Sequence, residues 1–371
     1  MTGKNIVGII FSNAYDECIP ELTGLRTMGS VPFACRYRLI DFPLSNMVNA
    51  GIEKVGVITK ANYQSLMDHL GTGKPWDLSR KTGGLFLLPP FLTADANGNG
   101  DKLESLKGIK DFVSRSTEEY VILSDSNSIF NVDIEELMDF HTEKNADITI
   151  AYKHGIAPKL NDTLVMKLDG YKKINYVAVN PQIDGEVDYS LNLMLMKKSL
   201  LERLMNEAVS LNHTDFGADI IQKNVSKLNM FGFPLKGYAR TIDSIQTYFK
   251  ANMDLLDTEN CAHLFNSERP IYTKIKDDMP ATYGLSSSIK NSLVANGCII
   301  EGEVENSIIF RDVRIEKGAV VKNSIIMQES FIAQGTSLNN AIIDKNVVIT
   351  PNKTLSGAEN YPIYVGKGIV V

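Results

Sequence analysis

The chain has 371 residues, 44% apolar and 22% charged, with a formal net charge of −6. That length points to two domains and that composition to a soluble globular protein. No apolar run approaches the ~18 residues of a membrane span, no long Lys/Arg run marks a nucleic-acid partner, and the opening MTGKN lacks a signal-peptide core, so a cytoplasmic location is expected.

In chain order, KNIVGIIF reads as a buried strand, PLSNMVNAG as a short helix closed by Gly51, and EKVGVIT as a second strand. ANYQSLMDHLG follows as a helix ending at Gly71, then KLESLKGIKDFVSR with helical spacing, then the strand EYVILS. In VDIEELMDFHTEKN, Asp133 is the helix N-cap with acids in the first turn, and ADITIAYK is again a strand. This alternation over residues 1–255 predicts an α/β domain around a mostly parallel sheet. Ligands of such sheets bind at the C-terminal strand ends, so the positions just after Phe11 and Leu123 are the ones to inspect. Residues 256–283, with NSERP and DDMPATYG, read as a connector. The cysteines Cys18, Cys35, Cys261 and Cys298 show no CxxC spacing and read as reduced thiols, not as a disulfide frame or a zinc site.

Residues 284–371 have a different period. VENSIIF at Val304, VKNSIIM at Val321 and LNNAIID at Leu338 recur at a spacing of 17, with a looser copy, IKNSLVA, at Ile289. Apolar residues recur every sixth position in two rows, Val320, Ile326, Ile332, Leu338 and Ile309, Ile315, Val321, Met327. About three hexads per turn is the signature of a parallel β-helix, whose coils bury their apolar edges by stacking. Asn306 and Asn323 fall at equivalent corners, where a residue tolerant of positive φ is useful.

Four stretches, VPFACRYRLIDFPLSNMVNAGI, HLGTGKPWDLSRKTGGLFLLPP, KANMDLL and VENSIIFRDVRIEKGAVVKNSIIMQ, together closely resemble bacterial glucose-1-phosphate adenylyltransferase (ADP-glucose pyrophosphorylase) over nearly the whole chain. The resemblance implies a Rossmann-like, GT-A-type nucleotidyltransferase domain followed by a left-handed β-helix. It also implies synthesis of ADP-glucose from ATP and glucose 1-phosphate with Mg²⁺. Such chemistry needs backbone N–H groups near the phosphates, cations on the triphosphate and carboxylates on the metal.

Residue by residue, this sequence departs from the family's pattern. Aligned back from Val31-Pro32-Phe33, the family's phosphate-loop glycines become Asn13, Ala14 and Asp16, its catalytic arginine becomes Cys18, and its lysine becomes Met28. An acid such as Asp16 in that turn would repel phosphate. The first metal aspartate becomes Asn127 and the second Thr241, and the sugar-phosphate lysine becomes Asn180. LTADA at 92–96 looks like a family loop, but distance back from Glu119 puts the true position near DKLES, so the match is refused. Removing one transition-state stabiliser commonly costs roughly 10²–10³-fold in rate. The losses together imply the family's non-catalytic, GlgD-type regulatory subunit, with no cofactor of its own. Mg²⁺ then belongs to a catalytic GlgC-type partner in an expected heterotetramer.

Two other classes are weighed. An active transferase would need Asp125 and Asp243, each two residues off, to replace the metal ligands. A hexapeptide acyltransferase would need a histidine base on the coil, and residues 284–371 contain none. Arg36 falls on a family lysine linked to phosphorylated activators, and Arg314 with Arg311 could face an anion between domains. The plainer readings are a surface salt bridge and a solvated coil edge. Arg38 reads as effector-linked or structural, Trp76 as packing or a subunit contact, and Asp215 as an N-cap or a residual sugar contact.

Overall fold

The computed structural model describes residues 3–89 and 102–371, so LTADA lies outside the described residues. Strand Ile6–Phe11 is buried at every position, as its unbroken apolar run requires. It pairs in parallel with Lys54–Ile58 on one side and Tyr120–Asp125 on the other, and Gly84–Leu88 extends the parallel part. Gly8 is needed in this strand because a Cβ there would stand 2.5 Å from Met47 Sδ of helix Asp41–Asn49. Beyond Tyr120–Asp125 the sheet turns mixed. The long strand Glu186–Lys197 runs antiparallel to it and also pairs with Ile148–Ile156 and Leu164–Leu168. The strand order thus switches beside Ile6–Phe11, and the crevice at that switch is where an α/β sheet takes its ligand. Helix Ile134–Glu143 starts as the sequence predicts, with Asp133 accepting from the Glu135 and Glu136 amides.

A separate two-stranded ribbon pairs Ala239–Thr241 with Ser128–Phe130 and sets Thr241 opposite Ser128. The expected connector is more ordered than its composition suggests. Helix Thr258–Leu264, capped by Asp257, lies at its start, and strand Thr282–Tyr283 at its end already belongs to the first coil.

The C-terminal part is a parallel β-helix of three five-stranded sheets, each strand pairing with the one a coil later. Along one edge the positive-φ corners fall on asparagine, Asn291, Asn306, Asn323 and Asn340 with φ between 43° and 49°, whereas other corners carry Asp312, Glu329 or glycine. The inward row corrects the two rows read from sequence. Val304, Ile309, Ile315, Val321, Ile326, Ile332, Leu338, Ile343 and Ile349 form one buried core, so the steps run five, six, six and total 17. Val320 points out and is only half-buried, and Met327 belongs to the neighbouring core instead. The second coil, from Ile299 to the paired Arg314, is shorter, 15 residues against the 17 from Thr282 to Ile299. Its corner at Gly302 is so tight that a Cβ would stand 2.8 Å from the Glu316 carbonyl.

One outer face of the β-helix, carrying Ile308, Ile325 and Ile342, is wholly buried against Phe33, Ile129 and Tyr248 of the N-terminal domain. The two parts therefore share an apolar core. Trp76 is buried in the N-terminal domain, edge-on to His69 with centroids 5.8 Å apart, so its segment packs inward.

Candidate functional site at the strand ends

The loop after Phe11 satisfies itself. Asn13 accepts from the Lys60 amide (2.7 Å) and donates through Nδ2 to Asp16 (2.7 Å). Asp16 in turn accepts from the Met28 backbone N–H at 2.6 Å. A carboxylate of the chain thus takes a backbone donor in a loop where the family places phosphate. Burial raises the Asp16 pKa to about 7, against the opposing effect of those donors. The Met28 side chain is wholly buried in the core shared with the β-helix. Cys18 is a neutral thiol, pushed up to about 11 by burial and then by Asp243 and Asp162 nearby. Acids, not cations, surround the position of the family's arginine.

The two positions aligned with metal aspartates do meet. Asn127 Nδ2 donates to the Ile242 carbonyl at 3.1 Å, and the Ile242 N–H returns a bond to the Asn127 carbonyl at 2.8 Å. Thr241 Oγ1 lies 3.0 Å from Ser128 Oγ. Both side chains are buried. Asn127 is engaged only through Nδ2 and its buried Oδ1 has no partner, but one neutral amide oxygen and a hydroxyl bound to Ser128 lack the carboxylate charge a divalent cation needs. Among the described residues no group of three or more His, Cys, Asp or Glu could hold a metal.

The rewired pair is not assembled either. Asp243 accepts from the Lys159 amide (2.8 Å) and from the hydroxyls of Ser244 and Thr247 at the start of helix Ile245–Met253. Asp125 is held by residues the sequence reading missed. Lys102 Nζ lies 2.7 Å from Asp125 and 2.8 Å from Asp162, and donates to Tyr15 Oη at 2.6 Å. Tyr15 Oη also accepts from Asn192 Nδ2 (3.0 Å) and lies within donor reach of both carboxylates. Two backbone anomalies deliver these groups: Tyr15 has φ 68° and Asn192, at a register shift in its strand, has φ 56°. Burial disfavours the charge on Lys102, but the two carboxylates outweigh it and hold its pKa above the usual lysine range. The cavity left beside the loop is about 30 Å³, lined by Phe11, Asn13, Lys60, Lys102 and Ser105 among others. That is room for a water or two.

The remaining candidates are dispersed. Asn180 is exposed at φ 46°, its amide on the Thr163 carbonyl. Asp215 is a cap, accepting from the Ala218 amide at 2.7 Å. Arg38 Nη1 bonds the Ser65 carbonyl (2.6 Å) and hydroxyl, a structural tie. Arg36 and Arg314 are both exposed; Arg36 stacks on Tyr37, and Arg314 on Phe331 near Glu316. Arg311 is corrected: it is 8% exposed, faces Asp278 at 3.6 Å, and is no solvated edge. Burial lowers its pKa, Asp278 opposes that, and Arg36 adds to it, so Arg36 neighbours Arg311.

Comparison with known proteins agrees with this architecture. Residues 21–258 match the nucleotidyl transferase family and residues 279–360 the GlmU-like C-terminal hexapeptide family, in keeping with a left-handed β-helix. The chain is 38% identical to the glycogen biosynthesis protein GlgD of Bacillus subtilis (strain 168) over 375 aligned positions, covering 100% of this chain and 98% of that one. It is also 38% identical to its Geobacillus stearothermophilus counterpart, over 99% of this chain and 97% of that one. It is 32% identical to the glucose-1-phosphate adenylyltransferase of Clostridium acetobutylicum, over 86% of each chain. Among the described residues no helix is long and apolar enough to cross a membrane. A nucleotidyl transferase domain, hexapeptide coils and full-length relatives of both kinds make this chain a member of the bacterial glucose-1-phosphate adenylyltransferase family, in its GlgD-type branch.

Proposed function

We propose that the chain is a non-catalytic, regulatory subunit of glucose-1-phosphate adenylyltransferase in glycogen biosynthesis. It pairs in the cytoplasm with a catalytic, GlgC-type homologue in a mixed tetramer and alters that partner's rate, substrate affinity or effector response. The observation that carries this reading is the pair Asn127 and Thr241, an amide and a hydroxyl bound to their own ribbon where the family's chemistry needs two metal carboxylates. Cys18 among acids and the self-capped Asp16 loop support it. Mg²⁺ and both substrates then belong to the partner, and a coupling of about 1–3 kcal/mol between chains gives a 5–150-fold change in affinity. Arg36, exposed, is the proposed contact for a sugar-phosphate effector, with Arg314 as a second candidate.

The test is kinetics of the catalytic homologue with and without this chain, scanned over sugar phosphates, beside an assay of this chain alone with ATP, Mg²⁺ and glucose 1-phosphate. Robust turnover by the chain alone sinks the reading. Unchanged kinetic parameters of the partner remove the regulatory half of it.

A further inference from the structure

The groups around Lys102 come from five separate segments. Tyr15 lies on the loop after Ile6–Phe11, Asp125 ends Tyr120–Asp125, and Lys102 opens helix Lys102–Gly108. Asp162 precedes strand Leu164–Leu168 and Asn192 lies within Glu186–Lys197. They converge at the switch in strand order, where the fold would otherwise admit a ligand. Side-chain exposure there is 9% for Lys102, 2% for Asp125 and 20% for Asp162. A buried ammonium bracketed by two carboxylates costs several kcal/mol in desolvation per ion and is a poor route to stability alone. Removing the ammonium would leave two carboxylates and a phenol oxygen facing one another with no cation between them.

We propose that Lys102 is an internal plug: its ammonium, seated between Asp125 and Asp162, fills from within the chain the place a free cation would take and so closes the strand-end pocket. The inference rests on the reading of the chain as a non-catalytic subunit and supplies the means by which its own pocket is kept shut. Lysine suits the task because its ammonium is a compact point charge with three donors on a flexible stem. Here those donors have the two carboxylates and Tyr15 Oη within reach. The latch also ties helix Lys102–Gly108 to the strand ends, so opening the pocket and releasing that helix are one event.

The probe is Mn²⁺ alone, titrated into the full-length chain and followed by the EPR signal of the free ion. Wild type takes up none below ~1 mM, and Lys102→Gln binds one Mn²⁺ at least about tenfold more tightly than wild type. Adding Asp162→Asn to Lys102→Gln removes that binding, and Lys102→Arg, which keeps the cation, binds none. A cooperatively melting Lys102→Gln chain with wild-type Mn²⁺ uptake overturns the proposal, as does wild type binding Mn²⁺ as tightly as the variant. A second measurement needs no variant. If lysine and free cation compete for one place, amide exchange in helix Lys102–Gly108 of the wild type speeds up at high Mn²⁺, and unchanged exchange counts against the latch. Turnover by the chain alone would overturn the non-catalytic reading but leave these outcomes unaffected. Absent Mn²⁺ uptake by Lys102→Gln would do the reverse.

Discussion

Arg26 and Asp344, 318 residues apart, join the two domains through a buried ion pair: one terminal nitrogen of Arg26 lies 2.9 and 2.8 Å from the two carboxylate oxygens of Asp344. Their side chains are 4% and 1% exposed, and Asp344 also accepts from Tyr364 Oη at 2.8 Å. Removing one partner of such a pair leaves a buried charge, which costs about 3–5 kcal/mol. Asp344→Ala is therefore expected to destabilise the chain by that amount in denaturant unfolding. Arg26→Met with Asp344→Leu recovers most of the loss. A double-mutant cycle with no coupling would show that the apolar core alone holds the junction.

Lys345, beside Asp344, has its pKa pushed down from 10.5 to about 7 by burial and then by the charges of Arg38 and Arg26. Between about 7 and 10.5 the unfolded chain binds more protons at this position than the folded one, so its contribution to stability rises with pH across that window. Lys345→Met is expected to flatten this rise and to stabilise the protein at pH 6.5. Urea midpoints for both chains across pH 6.5–9.5 provide the check, and parallel curves refute it.

Asp16 has the opposite sign. Its folded pKa is raised from 3.8 to about 7, so the folded chain holds the proton longer, and the stability it contributes falls as pH rises through that interval. The slope from one group is at most about 1.4 kcal/mol per pH unit. Asp16→Asn, which keeps an acceptor for the Met28 amide, removes this component. Melting temperatures between pH 4 and 7 that change equally for both chains would falsify the assignment.

Restoring the metal carboxylates alone is expected to fail. In Asn127→Asp with Thr241→Asp, Cys18 remains among acids and Asp16 still caps Met28, so pyrophosphate release from ATP and glucose 1-phosphate stays at the background of the assay. Turnover in that variant, absent from the wild type, would show that two carboxylates at those positions are all that the chain requires for the chemistry.

Four of the nine strands of the N-terminal sheet, the Asp133 cap and the corners at Asn306 and Asn323 were legible in the sequence because each has a local cause: apolar runs, capping chemistry, tolerance of positive φ. Asn127 and Thr241 were legible as neighbours only through the resemblance, since 113 residues separate Ser128 from Thr241 across the ribbon that joins them. Lys102, Tyr15, Asp162 and Asn192 were not legible. Their meeting depends on two left-handed residues and a register shift in one strand, none of which leaves a periodic trace. The six-residue period was read correctly in kind but as two rows, because the five-residue step hides inside a tight corner.

That short step has a consequence for how the β-helix can vary. It falls at the same edge in successive coils, after Val304, Val321 and Leu338, where Asn306, Asn323 and Asn340 turn the chain. The prism therefore has a seam running along its axis. One added residue at the seam would complete a hexad and leave every inward side chain in place, whereas one added within a strand would turn its buried residues outward. Length changes among homologous coils should collect along that edge, which borders the face packed on the N-terminal domain, and so would adjust the fit between the two domains without disturbing the stack.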